Sequence, residues 1–260
     1  MTERRGVDGQ RRARLERYLL WQMRDYLVQQ GPATVIVLTL YAYLTLLPVL
    51  NAPRLSTTAP PPTMATLPAE FVEQLFIALL GSFVLLGTLF ATNGIVANDR
   101  KTGYYRFLFA KPVSAPRYYA NAFMAHGIGM MLVGLVLLAA FSLFVRPMWA
   151  PSFVPVVGAM YLAYGGVGFV LSTIWRFDWL SLVTVAIVAA VGWNTWGDDP
   201  GIKGWLVHLL PPTHRAGELY AYVAGASTVF PWMTCAWLTG YGLVCFLGGL
   251  WILRVRSMAS

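Results

Sequence analysis

Residues 98–119 read NDRKTGYYRFLFAKPVSAPRYY. Six charged side chains, Asp99, Arg100, Lys101, Arg106, Lys111 and Arg117, fall between two of the most apolar runs of the chain. Gly103 breaks the exit from the first run. YYRFLFA then makes about two helical turns, with Tyr104, Phe107 and Leu108 at the i, i+3, i+4 spacing of one apolar face. Lys111-Pro112 stops the turn, and PVSAPRYY leads into the next run. Such a helix has two readings. It is either a surface-lying helix with snorkelling cations, or an apolar plug for a groove on a soluble partner.

The surroundings decide where this stretch lies. The chain has 260 residues, 57% of them hydrophobic and only 12% charged, against about 25% charged in an ordinary soluble domain. The mean hydropathy of +0.59 agrees. A bilayer-spanning helix needs about 20 mostly apolar residues. Six runs qualify, at about 33–50, 71–96, 118–145, 153–175, 179–196 and 231–253. The expectation is an all-α integral membrane protein, one six-span transmembrane domain over 1–260, with no internal repeat and no soluble domain.

Charge placement orients the spans. Of nineteen Lys and Arg, seven precede span one, five lie between spans two and three, Arg176 follows span four, and Arg254 and Arg256 follow span six. Only Arg54, Arg146, Lys203 and Arg215 fall in the opposite set of loops. Lys and Arg accumulate on cytoplasmic loops, so both termini are expected in the cytoplasm. The net charge of +8 therefore follows topology and does not indicate nucleic acid.

The connecting segments read as follows. Leu15, Leu19, Met23, Tyr26 and Leu27 follow helical spacing in a basic N-terminal segment. This predicts a basic cytoplasmic tail over 1–10 and then, from Arg11, an amphipathic helix in the headgroup plane, together spanning 1–30 and ended by Gly31-Pro32. No secretory leader is expected, because the first apolar run is long and lacks a cleavage-type site. Residues 51–70 hold five prolines and read as an extended outer loop, with Glu70 and Glu73 at the outer mouth of span two. Residues 205–210 and 214–226 read as two short helices broken by Pro211-Pro212, a re-entrant pair before span six.

No zinc-protease, serine-hydrolase or phosphate-loop motif occurs. The glycine-rich YGGVGF lies inside span four with no following Lys, and reads as close helix packing. Without a phosphate loop, any ATP-driven role requires a second polypeptide. His208 and His214 stand six residues apart with no third ligand in the sequence nearby, and read as interfacial polar residues. His126 stands alone near the start of span three. Cys235 and Cys245, ten residues apart on one helix, are separated by about 15 Å and cannot pair.

Asp99-Arg100, Gly103, Phe107-Leu108 and Pro112-Val113-Ser114 resemble the loop between spans two and three of type-2 ABC-transporter permeases. LLPPTHRAGELY, residues 209–220, is similar to the Pro-containing segment before span six of those proteins, and the six-span outline agrees throughout the chain. Asp99 stands where Glu is commoner, and YYRFLF is more aromatic than usual.

The resemblance implies a coupling helix, with Asp99, Arg100, Gly103, Tyr104, Phe107, Leu108, Pro112 and Val113 at the contact with a separate P-loop ATPase subunit. ATP and Mg would bind that partner, and no cofactor would bind this chain. A second permease subunit, identical or homologous, would complete an exporter in the inner membrane.

Spans one, two and five would line the path. Thr34, Tyr41 and Thr45 share a face of span one, Thr88 and Thr92 of span two, and Ser181, Thr184 and Thr195 of span five. Hydroxyls at these spacings alternatively bond their own helix backbone. The other reading of the whole is a non-transporting anchor, assembly or signalling subunit that binds a soluble partner through the same loop.

Overall fold

The computed structural model describes residues 20–50, 68–92, 95–96, 99, 114–147, 151–174 and 178–255, without the side chains of 45–50 and 178–180. Among these residues all regular structure is helical. In chain order the helices are α1 Leu20–Gln29, α2 Gly31–Leu50, α3 Ala69–Thr92, α4 Ala115–Phe144, α5 Phe153–Ile174, α6 Asp178–Trp196, α7 Ile202–Val207, α8 Ala216–Ala224 and α9 Trp232–Val255. Helices are what a bilayer permits, since each satisfies its backbone within its own segment.

Four of them, α3, α4, α5 and α9, are long and apolar enough to cross a membrane, and a fifth joins them if α1 and α2 form one bent span. Residues Ser181–Trp196 of α6 are apolar but shorter. The helix bounds fall within a few residues of the six expected runs.

Local sequence explains the breaks. The α1–α2 axis bends by 40°, at the point where Pro32 cannot donate to the carbonyl of Val28. The ladder resumes at once, with Thr34 N–H on Gln30 O at 3.0 Å. Pro116 lies in the first turn of α4, where its missing N–H costs nothing. Helix α3 ends at Thr92, short of the expected 96 and well before Gly103. The next residues in sequence are Asn93-Gly94, a pair favoured at helix ends.

Helix α5 is the centre of the bundle. In its membrane-length window 61% of residues are buried, against 28% for α4 and α9. Its broadest contact is with α9, through glycines. A methyl group on Gly166 would strike the backbone of Gly242, and one on Gly242 would strike Leu162 O. One on Gly249 would meet the Phe169 ring at 2.6 Å. Lipid tails remove the usual hydrophobic drive between helices, so close approach of small residues supplies the attraction. The reading of YGGVGF as packing is thus met by its geometry.

Beside the seam, Phe246 stacks on Phe123 at 4.5 Å and contacts Phe169 at 5.0 Å. Tyr161 donates to Phe123 O at 2.6 Å, tying α5 to α4.

Helix α1 packs into this core as well. Tyr26 is buried over Gly129, where a side chain would collide with its ring. Its ring lies 5.3 Å from that of His126. Among the described residues the tryptophans keep to the helix ends. Trp21, Trp179, Trp193, Trp196, Trp205, Trp232, Trp237 and Trp251 each stand within about two turns of one, as interfacial aromatics do.

Candidate functional site

The site begins where α3 leaves the bundle. The last carbonyls of a helix have no intrahelical donor. His126 of α4 supplies one, its Nδ1 lying 2.6 Å from Ala91 O. A carbonyl only accepts, so Nδ1 carries the proton. Further on, Tyr119 O–H donates to Asp99 Oδ2 at 3.2 Å. Tyr119 is fully buried and packs edge-on against Tyr118. Burial pushes the Asp99 carboxyl above its ordinary range, and the Tyr119 hydrogen bond opposes that shift. The first acidic residue of the 98–119 stretch is thereby fastened to the root of α4.

Arg100, Gly103, Tyr104, Phe107, Leu108, Pro112 and Val113 lie outside the described residues. Tyr119 and His126 were legible only as an aromatic and a lone histidine. Their partners Asp99 and Ala91 stand twenty and thirty-five positions earlier in the sequence, and no spacing rule reaches that far.

The eight hydroxyl residues divide into two groups. Thr34, Thr88 and Thr92 are buried. Thr34 donates to Gln30 O, in the turn just before α2, at 2.9 Å, and Thr92 to Thr88 O of its own helix at 2.8 Å. Thr88 Oγ1 lies 3.6 Å from Met130 Sδ. Thr88 and Thr92 face the glycine positions 165 and 168 of α5, inside the single-chain bundle. Tyr41, Thr184 and Thr195 are exposed and Ser181 is half-buried. The side chain of Thr45 lies outside the description. One chain therefore does not gather the seven described side chains around a common space.

At the opposite end the segment before α9 takes the expected broken form. Pro211-Pro212 separates α7 from a short 3-10 turn at Thr213–Arg215 and then α8. The break is pinned from several sides. The His214 ring stacks on Trp193 at 3.8 Å and that of His208 tilts against it at 4.7 Å. Partial burial holds the His214 imidazole below its ordinary pKa, helped by the Arg215 charge. Arg215 lies over Trp237 at 5.1 Å, Thr234 O–H donates to Glu218 Oε2 at 2.6 Å, and Tyr241 O–H donates to Leu209 O at 2.9 Å. Among the described residues no three His, Cys, Asp or Glu side chains gather as a metal site. Cys235 and Cys245 are free thiols.

One apolar groove of about 290 Å³ opens between α2, α3 and α4, near the end where Glu73 and Arg146 approach to 4.0 Å. Comparison with protein-family models, curated proteins and solved structures finds no match.

Proposed function

We propose that the chain is the membrane subunit of an ATP-driven ABC exporter, coupled to a separate P-loop ATPase through residues 98–117. In this reading it forms one transmembrane domain in the inner membrane. The six spans are α2, α3, α4, α5, α6 and α9, with both termini cytoplasmic. Helix α1 lies at the inner surface, and α7 and α8 dip into the outer leaflet and return. Two permease subunits, identical or homologous, flank the path, and ATP and Mg bind the ATPase partners.

The observation that supports this most is the fastening at the loop root. A push on a loop moves a span only if the loop is tied to it. Asp99 is tied to Tyr119, and the end of α3 to His126, so displacement of the loop would reach α3 and α4 together.

Leu108→Asp tests the reading. Burying a leucine contributes roughly 1.5–3 kcal/mol, and an unpaired carboxylate in a dry contact costs a few kcal/mol more. Association with the ATPase should weaken by at least about two orders of magnitude, while membrane insertion is unchanged. Arg106→Ala, a rim charge, should matter less. Co-purification from membranes with the ATPase and transport-linked ATP hydrolysis read the outcome. Full association and activity in Leu108→Asp would leave the loop a surface helix and favour the anchor reading.

A further inference from the structure

We propose that the groove between α2, α3 and α4 is a lipid site that holds one acyl chain of a zwitterionic phospholipid, with its phosphate at Arg146 and its amine at Glu73. The site is independent of any ATPase partner.

Its shape fits a single chain. The wall is built from Phe76, Leu80 and Phe83 of α3 and Leu138, Phe141 and Phe144 of α4. It is almost wholly apolar. Gly134 gives the floor its depth, since a methyl group there would meet the Phe83 ring at 2.7 Å. From Glu73 to Phe83 the helix advances about 15 Å, half of the roughly 30 Å hydrocarbon core. The groove therefore reaches as deep as one leaflet.

Charge is confined to one end. Glu73 heads the α3 stripe that continues through Phe76, Leu80 and Phe83, and Arg146 follows the last turn of α4. Their 4.0 Å separation is the outer limit of an ion pair, and half of the Arg146 side chain is exposed. Glu70 stands one turn further out and is also exposed. An ion pair this open contributes little by itself, so exchanging it for headgroup contacts costs little. The guanidinium fork matches a phosphate, and the two carboxylates suit an amine. A headgroup bearing only negative charge would meet Glu70 and Glu73 uncompensated.

The test uses the full chain in nanodiscs of phosphatidylglycerol. These are doped either with a diazirine-tailed phosphatidylethanolamine or with phosphatidylglycerol carrying the same tail. After photolysis, the phosphatidylethanolamine probe should label peptides of α3 and α4 well above the phosphatidylglycerol probe. Ala140→Phe and, from the other wall, Ala42→Phe fill the groove. Each should lower that labelling about tenfold, the loss expected when burial of two methylenes is displaced. Ala236→Phe, on the exposed face of α9, should leave it unchanged and reports on folding. Glu70→Gln with Glu73→Gln should abolish the preference between headgroups, because both probes offer Arg146 a phosphate and only the amine needs the carboxylates. Equal labelling by the two probes in the unaltered chain, or undiminished labelling in both filled variants, overturns the site.

Discussion

Gly166 meets Gly242 with no side chain between them, and that contact sets the distance between α5 and α9. Gly166→Ala gains helix propensity, about 1 kcal/mol, but forces the two backbones apart. Overpacking of this kind costs about 1–3 kcal/mol, and here the obstacle is backbone that cannot rotate away. The variant should melt at lower temperature in detergent. Gly248→Ala, on the facing helix α9, has open space and should melt at the same temperature or higher. Equal behaviour of the two would show that the seam carries no stability. YGGVGF was readable as packing because glycine inside an apolar run has few other uses. His126 was not readable in the same way. Its role depends on the carbonyl of Ala91, thirty-five positions earlier, which has no signature in sequence.

At the scale of the element, α3 and α4 are joined at both ends, by Glu73–Arg146 at one and by Ala91–His126 and Asp99–Tyr119 at the other. The Asp99 contact has a pH signature. Burial raises its native pKa above the ordinary 3.8, so the native state favours the neutral acid. That contribution is fully present below 3.8 and is lost as pH rises through the raised native value. Asp99→Asn keeps an acceptor for Tyr119 and removes the titration. Its thermal stability should gain on the unaltered chain as pH rises from about 3 to 7, then run parallel. A difference that is flat with pH would remove Asp99 from the account.

Helix positions were legible because each run is bounded by proline, glycine or charge. The inner face of α1 was legible only in part. Tyr26 falls on its expected apolar face, but its socket at Gly129 belongs to a distant helix.

For the whole molecule, the all-helical, membrane-type architecture follows from composition and run length alone. The lining of a path does not. Thr34 and Thr92 spend their hydroxyls on their own backbones, and helical spacing is the same whether a hydroxyl faces a channel, a neighbour or its own carbonyl. The groove was equally hidden, since it is made by three helices whose apolar residues look alike in sequence. The tryptophans at the helix ends carry a consequence for light. They are eight of the chain's ten tryptophans, enough to dominate its ultraviolet emission. In a bilayer that emission should come from two thin layers near the headgroups, with a dark middle between them. Lipids brominated high on the acyl chain should quench it more strongly than lipids brominated near the terminal methyl. The opposite ranking would mean that the long helices do not stand across the bilayer. The protein thus carries its own depth gauge, readable without any attached dye.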